Sequence, residues 1–570
     1  MNKKRVVALL SVFLIILIPV QAISSLVQKS ATFDEPLQLA SGYLHLATGK
    51  FELDINHPPL AKQLMAIPLL FLELQIPTGH SVREGGIRFG SYFVFRNIED
   101  ADTLLFWGRI PAVLLTMLLA FIVFWWGREL YGPWGGLLAL FLCALDPNIL
   151  AHGRLATTDM AVTCFRFIAV YCFWKLLRSP TKLNLLLAGL TFGMAQAAKF
   201  SAVLLVPILV LLAGAYLVSG RLVHAWVPLP RWKWIARCNW LSRGYALSTT
   251  LLLIFIIGFA FIWVDYGLEI GPLWAEGRPF QDDVKPLLKG FPEDLQIPAP
   301  TYFYGLGIVR SFIAESRPTF LMGELSHEGW WYYFLVAFLI KTPVPLLLLL
   351  TGAAVLTVSK RTGFWEREAF LLLPVMVSFG ATAPSGFNLG YRHILPVLPF
   401  LFVFAGKVAT VQWSKRRALG IGLIAVLCVW QLVTAIRIYP HYLAYFNELA
   451  GGPENGYKYL VDSNLDWGQD LKGLGAYLKA QGIDQVELSY FGTADPAYYG
   501  INYTCLPSFG ILSKDKCPIE PDFQNQAGVF AISATNLQGV YLNDPHTFDW
   551  LKEREPETMI GYSIFVYRVP

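Results

Sequence analysis

The chain has 570 residues, of which 55% are hydrophobic and 15% are charged, and its mean hydropathy is +0.49. A soluble domain carries about 25% charged residues, so this composition excludes an ordinary soluble protein and indicates a membrane protein. The net charge of +5 is small for this length. It argues against a nucleic-acid surface and suggests basic loops that meet anionic lipid.

Apolar runs long enough to cross a bilayer, about 20 residues each, recur along most of the chain. The first, residues 6–23, follows the basic MNKKR and is favoured as a retained helix over a cleaved signal peptide. The other runs lie at 104–126, 134–151, 160–177, 184–198, 200–218, 245–264, 333–357, 369–383, 394–411 and 418–436. The sequence therefore predicts a polytopic α-helical membrane protein with about 11 transmembrane helices.

The basic loops predict the orientation of these helices. MNKKR, RSPTK, SKRTGFWERE and SKRR are basic, and the loop 221–243 holds five Lys or Arg residues and no acid. All of them fall on one side under alternating topology, which makes that side cytoplasmic. The other side receives the long loops 28–100 and 265–328. We therefore expect a multi-pass protein of the cytoplasmic membrane with a cytoplasmic N-terminus and interfacial helices in the first outer loop.

The C-terminal tail differs from the rest of the chain. Turns such as GGPENG precede the helix-like DLKGLGAYLKAQG and the strand-like QVELSYFG and VFAIS. This order predicts a transmembrane domain at 1–436 and a small extracytoplasmic α/β domain at 437–570. Cys505 and Cys517 lie in this tail and form either a disulfide or two free thiols.

Two adjacent acids, Asp34 and Glu35, follow the first apolar run in the stretch TFDEPLQLASG. Pro36 suits the first turn of a helix, and the helix dipole favours negative charge there. A capping role would explain one acid. Two acids beside a membrane are functional candidates, and we favour that interpretation.

The same loop continues as INHPPLAKQLM, in which His57 precedes two prolines and Lys62 follows one turn later. These residues either form a stiff turn with Lys62 reaching towards water, or point hydrogen-bond donors at an anionic ligand near the helix start. The residue types alone leave the two interpretations even.

Further charged residues stand at predicted outer turns. Asp159 lies in HGRLATTDM, Lys199 in AQAAKFSAV, and Arg392 and His393 in GYRHILPVLPFL. Asp159 alone could be a helix cap. Lys341, in FLIKTPVPLL, is within or near a span, so its role stays open. Cations near lipid suit a lipid phosphate, and carboxylates suit a base that activates a hydroxyl or amine. Together they predict group transfer from a lipid phosphate outside the cytoplasm.

Five motifs in this order, FDEP, HPPLAK, LATTD, AAKFSA and RHILPVLPFL, carry a family resemblance over about residues 1–411. The chain resembles the polytopic GT-C glycosyltransferases, in the branch of the protein O-mannosyltransferases and aminoarabinose (lipid A) transferases. The resemblance implies a polyprenyl-phosphate sugar donor, a protein, lipid or glycan acceptor, and inversion at the anomeric carbon. It implies no nucleic-acid partner.

The resemblance also assigns roles. Asp34 would be the general base and Glu35 would position the acceptor or the donor. The donor and its phosphate would be held by His57, Lys62, Asp159, Lys199, Arg392 and His393. No acidic cluster resembles a dedicated metal site, so no cofactor is indicated, although a divalent cation stays open.

Two other classes of function compete with this interpretation. A transporter or lipid flippase would place charges near the membrane midplane, usually in a repeated fold. Only Lys341 favours it, since no internal repeat is visible. A membrane anchor would use the tail, whose DSNLDWGQD and YFGTADPAYYG either bind an acceptor or form the core and turns of a small domain.

Overall fold

The computed structural model describes residues 3–77, 86–218, 240–273, 292, 295–315, 317–359, 363–383, 386, 388–411, 417–512 and 523–570. These residues are mostly helical. The helices are α1 (Lys3–Leu26), α2 (Glu35–Thr48), α3 (Pro59–Ala66), α4 (Gly86–Phe95), α5 (Ala101–Ala144), α6 (Pro147–His152), α7 (Thr158–Arg178), α8 (Lys182–Ala198), α9 (Leu205–Val218), α10 (Trp240–Asp265), α11 (Pro300–Ala314), α12 (Tyr333–Lys341), α13 (Val344–Ser359), α14 (Glu368–Thr382), α15 (Leu398–Ala405), α16 (Arg417–Ile438), α17 (Leu471–Gln481), α18 (Ala534–Leu537) and α19 (Asp549–Lys552).

Several of these helices are suited to the membrane. Within the described ranges, six helical segments are long and apolar enough to cross it. Five of them are α1, α5, α7, α10 and α16, and the sixth is Phe200–Val218, which contains α9. The pair α12 and α13, bent by 110°, makes seven if it is one span. Shorter apolar helices lie at Pro59–Phe71, Glu368–Thr382 and Leu395–Thr410. The chain is thus a multi-pass membrane protein, while the predicted number of 11 spans stays a prediction.

The 44-residue helix α5 is too long for one span, because its length of about 66 Å is twice the thickness of a hydrocarbon core. It is divided at Gly132, whose φ of 78° breaks the helix. Glycine adopts this angle without a steric penalty, and Pro133 then suits the start of the next helical segment. The two halves correspond to the predicted runs 104–126 and 134–151.

The predicted helices of the first outer loop are present as α2, α3 and α4. Helices α2 and α3 pack closely because Gly42 presents no side chain to the backbone of Lys62. Much of α2 is buried, including the polar Gln38 and Ser41. The loop is therefore a packed layer against the membrane helices.

The tail contains a five-stranded sheet. Its strands are β5 (Val486–Ser489), β6 (Tyr503–Cys505), β7 (Gly528–Ser533), β8 (Thr558–Ile560) and β9 (Ile564–Val569). Their order in the sheet is β6-β5-β7-β9-β8, in which β5 is parallel to β6 and β7, and β9 is antiparallel to β7 and β8. Two short antiparallel hairpins precede it, β1 (Ile270–Pro272) with β2 (Gln296–Pro298), and β3 (Thr319–Leu321) with β4 (Glu324–Ser326).

Lys341 joins the tail to the membrane helices. Its buried ammonium donates hydrogen bonds to the carbonyl oxygens of Leu443 and Asn464 and lies 4.5 Å from the centre of the Phe446 ring. The Lys341 side chain therefore binds main-chain carbonyl groups of the tail, which is the role that its position in the sequence had left open. Cys505 is disulfide-bonded, but Cys517 lies outside the described residues, so their pairing stays a prediction.

We expect Gly42→Ala to destabilise the first outer loop. A β-carbon at this position would lie 2.0 Å from the carbonyl oxygen of Lys62, so α2 and α3 would have to separate. Overpacking of this kind costs about 1–3 kcal/mol. The measurement is thermal unfolding of the purified protein in detergent. Gly214→Ala is the matched control, because nothing lies within 4 Å of its β-carbon position; equal melting temperatures for the two variants would refute the close packing.

Candidate active site

A cavity of about 950 Å³ lies between the first outer loop, the ends of several membrane helices and the tail. Its lining includes large apolar side chains such as Phe200, Leu204, Leu306, Phe312 and Phe334. Its charged or titratable side chains are Asp34, Asp54, His57, Arg166, Lys199, Arg310, Arg317, Arg392, His393, Asp462 and Tyr541. A cavity lined by both kinds of side chain can hold a ligand that has both a charged head and a hydrocarbon tail.

Asp34 lines the cavity. It directly precedes α2, but its side chain makes no capping hydrogen bond. Instead it accepts a hydrogen bond from Nη1 of Arg392 at 2.7 Å, and a quarter of the side chain is exposed. The Arg392 guanidinium lies 4.4 Å from the centre of the Trp467 ring, which helps to fix its orientation. Asp34 is thus held towards the cavity.

A second carboxylate, Asp159, lies beside this pair. It stands in the first turn of α7, and its Oδ1 is 2.5 Å from Nζ of Lys199. Its Oδ2 is 4.0 Å from Nη1 of Arg392, so Arg392 lies between the two carboxylates. The structure therefore brings together Asp34, Asp159, Lys199 and Arg392 from four separate parts of the chain. Two negative and two positive charges balance in this cluster, which we call the outer charge cluster.

His393 contributes no charge to the site. It lines the cavity beside Arg392, and its ring lies 6.3 Å from that of Phe334 in an edge-on arrangement. Burial lowers its pKa well below the ordinary value, and the charges of Lys199 and Arg392 lower it further. The neutral imidazole can donate or accept a hydrogen bond.

Glu35 has a different position from its neighbour. It is fully buried and does not line the cavity. Its carboxylate accepts hydrogen bonds from Nε and Nη2 of Arg109 at 2.8 and 2.7 Å, and from the backbone N–H of Thr32 and Ala156 at 2.8 Å each. Burial alone would raise the pKa of Glu35, but Arg109 and these N–H donors lower it. The contacts indicate that Glu35 fixes the loop, while its role in positioning the acceptor or the donor stays a prediction.

The Lys62 side chain likewise binds main-chain carbonyl groups. Its ammonium is buried away from the cavity and donates to the carbonyl oxygens of Asp54 and His57 at 2.7 and 2.8 Å. It is also 3.3 Å from the Asp54 carboxylate. The structure places Lys62 beneath the turn 54–57 and outside the lining of the cavity, and the phosphate contact that the sequence suggested stays a prediction.

His57 does line the cavity, and its Nδ1 is 3.1 Å from Oδ1 of Asp54. Burial would raise the pKa of Asp54, but the charges of Lys62 and His57 lower it to about 2. Asp54 therefore stays ionised and orients the imidazole so that its other nitrogen can face a ligand.

The tail supplies a side of the cavity that the sequence analysis did not assign. Asp462 has a φ of 56°, and its Oδ2 accepts a hydrogen bond from the Tyr541 hydroxyl at 2.5 Å. Burial raises the pKa of Asp462, although Arg392 opposes this shift. The stacked rings of Phe33 and Phe491, 5.2 Å apart, and the tilted rings of Phe509 and Tyr541, 4.8 Å apart, lie next to it. The motif LVDSNLDWGQD marked this segment in the sequence, but it did not predict that the segment would line the cavity.

Among the residues that the structure describes, no group of three or more His, Cys, Asp or Glu side chains could hold a metal ion. The charges at the site are instead arranged as pairs of opposite sign. Such an arrangement can bind an anion at its cations and take up a proton at an exposed carboxylate.

Residues 102–236 match the profile of the dolichyl-phosphate-mannose-protein mannosyltransferase family. This stretch holds Asp159 and Lys199. The match confirms the resemblance that the motifs predicted, and with it the class of the protein, a membrane glycosyltransferase. No curated protein matches the sequence.

Three solved structures are similar to the whole chain or part of it. ArnT from Cupriavidus metallidurans, bound to undecaprenyl phosphate, has 11% identity and a TM-score of 0.49 over 97% of each chain. The protein O-mannosyltransferase complex of S. cerevisiae, bound to the sugar donor, has 21% identity and a TM-score of 0.34 over 47% of this chain and 34% of that chain. AglB from Archaeoglobus fulgidus, in complex with an inhibitory peptide and a dolichol-phosphate, has 15% identity and a TM-score of 0.40 over 82% of this chain and 58% of that chain.

The two adjacent acids should respond differently to neutralisation. We expect Glu35→Gln to lower the stability of the protein by about 3–5 kcal/mol, because it leaves the buried Arg109 guanidinium without its counter-charge. Asp34→Asn should cost less than about 1 kcal/mol, since the Asp34 side chain is partly exposed. Thermal unfolding of both variants in detergent measures the difference. Equal losses would contradict the division into a structural and a cavity-facing acid.

Proposed function

Because residues 102–236 relate this glycosyltransferase to the dolichyl-phosphate-mannose-protein mannosyltransferases, we propose that it transfers a sugar from a polyprenyl-phosphate carrier to an acceptor hydroxyl or amine. The observation that carries the proposal is the Asp34–Arg392 pair, which lines the cavity and leaves a quarter of the Asp34 side chain exposed. An exposed carboxylate suits a base, and a guanidinium beside it suits a phosphate.

The donor would contact both the apolar and the charged side chains that line the cavity. Its prenyl chain would contact the apolar wall, while its phosphate would accept hydrogen bonds from Lys199 and Arg392. Lys199 carries three N–H donors and Arg392 five, and each uses only some of them on carboxylates. His57 and His393 would add further hydrogen-bond donors. Asp159 would keep Lys199 oriented. ArnT and AglB, which resemble this chain, are bound to undecaprenyl phosphate and to a dolichol-phosphate respectively.

The proposed reaction is a single displacement. The Asp34 carboxylate takes the proton of the acceptor hydroxyl or amine, and the freed electron pair attacks the anomeric carbon. The bond between that carbon and the phosphate oxygen breaks on the opposite side, and the oxygen leaves with its electron pair. The configuration at the anomeric carbon is therefore inverted. Lys199 and Arg392 stabilise the charge that develops on the phosphate.

The acceptor would enter beside the tail. Asp462, Tyr541 and the neighbouring aromatic rings cover the part of the cavity next to Asp34, so their contacts would select the protein, lipid or glycan that is modified. We further propose that this face is extracytoplasmic and that the N-terminus is cytoplasmic, because alternating topology in the sequence assigns the basic loops to the opposite side. Lys341 was the residue that favoured a transporter. Its side chain is bound to backbone carbonyls, so it no longer supports that alternative.

The proposal is tested by reconstituting the protein with labelled polyprenyl-phosphate hexoses and pentoses and comparing it with Asp34→Asn. We expect the variant to bind the donor as the wild type does, while the transfer rate falls by about 100- to 10,000-fold, the usual contribution of a general base. Binding and turnover are measured separately, by equilibrium binding and by release of lipid phosphate.

Asp484→Asn is the matched control, because it neutralises an exposed aspartate of the tail that does not line the cavity. Its transfer rate should equal that of the wild type. Undiminished turnover by Asp34→Asn would remove Asp34 as the base, and a folded wild type that binds none of the donors would overturn the proposed function.

A further inference from the structure

Four aromatic rings line one part of the cavity, and the proposed reaction leaves open which ligand they contact. They belong to Phe33, Phe491, Phe509 and Tyr541, which together we call the aromatic panel. The centres of neighbouring rings lie 4.8 to 6.0 Å apart, and the ring planes differ by 15 to 31°. The four rings therefore share nearly the same orientation.

The backbone holds the aromatic panel in place. The N–H of Phe33 donates to the carbonyl oxygen of Trp467 at 2.8 Å, and Oγ1 of Thr493 donates to the carbonyl oxygen of Phe33 at the same distance. Phe491 is almost fully buried, whereas 39% of Phe509 is exposed. A ligand can cover an apolar ring on a fixed backbone at little cost in chain entropy. We therefore expect Phe509 to contribute most to binding.

A carboxyl group adjoins the aromatic panel. Asp462 lines the cavity, and its Oδ2 accepts a hydrogen bond from the Tyr541 hydroxyl at 2.5 Å. A carboxylate has about four lone-pair positions, so Asp462 can also accept hydrogen bonds from a ligand. Aromatic faces beside such an acceptor suit a molecule that has an apolar face and hydroxyl groups at its edge.

The charges around the aromatic panel favour a neutral ligand. The two acids and two cations of the outer charge cluster balance each other. An ammonium group at the panel would be repelled by Arg392, whose charge acts on both Asp462 and Tyr541. Burial also raises the pKa of Asp462, which disfavours the carboxylate that would attract such a cation. A phosphate would in turn be repelled by Asp34. A neutral ligand avoids both penalties.

The sheet of the tail offers no edge to a peptide in the cavity. Proteins commonly bind an extended peptide by adding it to an exposed strand. Within the described parts of the chain, no residue of strands β1 to β9 lines the cavity. The members of the aromatic panel lie outside the strands, so they would bind a ligand through their side chains. This arrangement favours a compact ligand over an extended peptide.

We propose that the aromatic panel and Asp462 bind a neutral sugar ring, so that the acceptor is a glycan. This inference rests on the proposed function, which leaves a protein, a lipid or a glycan as the acceptor. One face of a sugar ring carries C–H groups, which the negative face of an aromatic ring attracts, while the sugar hydroxyls would donate to Asp462. Since Asp34 directly follows Phe33 in the chain, a hydroxyl of the bound sugar can lie beside the proposed base.

The test measures binding of neutral oligosaccharides to the full-length protein in phosphatidylcholine nanodiscs. The probes contain glucose, galactose, mannose or N-acetylglucosamine, and peptides that contain serine and threonine are the competing class. We expect the wild type to bind at least one oligosaccharide and none of the peptides. The same oligosaccharides coupled to an alkyl chain distinguish the source of the sugar ring. Tighter binding of the coupled form indicates a glycolipid, and equal binding indicates a free glycan.

Variants of the panel test the contact itself. Phe509→Ala should weaken binding of the oligosaccharide by about 2- to 10-fold, the value of an aromatic contact. Phe509→Leu, which keeps an apolar side chain without an aromatic face, should lose nearly as much, whereas Phe509→Trp should bind as the wild type does. Asp462→Asn should also lose about 2- to 10-fold, the value of a typical hydrogen bond. Asparagine tolerates the φ of 56° at this position.

Trp331→Ala is the matched control, because Trp331 is an exposed aromatic residue that does not line the cavity. Its oligosaccharide binding should equal that of the wild type. Binding of polyprenyl-phosphate sugars should be unchanged in Phe509→Ala. Weaker binding of these donors, together with unchanged oligosaccharide binding, would assign the aromatic panel to the donor and overturn the inference.

The outcomes also separate the inference from the proposed function. Unchanged oligosaccharide binding by Phe509→Ala or Phe509→Leu overturns the glycan site, and so does a folded wild type that binds no oligosaccharide. Sugar transfer to the peptides alone supports the proposed function and overturns the inference. Oligosaccharide binding that depends on Phe509, in a wild type that binds no donor, supports the glycan site and contradicts the proposed function.

Discussion

The buried ion pair of Glu35 and Arg109 is the contact on which the position of Asp34 depends. Besides the carboxylate, the Arg109 guanidinium donates to three carbonyl oxygens at the end of α1 and just after it, those of Leu26, Lys29 and Ser30. Glu35 also accepts from the N–H of Ala156, in the turn that leads to α7. One ion pair therefore joins α1, α5 and the start of α7. Since a single peptide unit separates Glu35 from Asp34, the geometry of the buried acid sets that of the exposed one.

The same cost of burying charge explains the different tasks of the cations. Lys62 and Lys341 donate to backbone carbonyls and hold turns, whereas Lys199 and Arg392 face carboxylates at the edge of the cavity. Arg166 has neither arrangement among the described residues, where its Nη2 donates to the Ser378 hydroxyl. A positive charge beside an apolar run is thus not a uniform signal. Its meaning depends on the group that its side chain meets.

The sequence predicted the features that stand out locally and missed those that depend on distant partners. Asp34, Asp159, Lys199 and Arg392 could be found because each interrupts the edge of an apolar run, and the structure brings them together. Glu35 and Lys62 received functional roles from the same signal, but their partners are Arg109 and a backbone turn. These additional residues were not singled out: Asp54, Arg109, Arg166 and Asp462. Arg166 was overlooked because one charge does not interrupt a hydrophobic window, and Asp462 because the tail reaches the cavity through long-range packing.

The cavity wall runs in sequence from Phe33 to Tyr541. A ribosome therefore synthesises the chain as far as Tyr541 before the site can be complete. Until Tyr541 has packed against Asp462, the growing protein has its acid and its cations but no cover over them. The membrane helices can therefore insert before the wall of the cavity is complete. A chain that stops early in the tail would keep its membrane helices and lose this part of the wall.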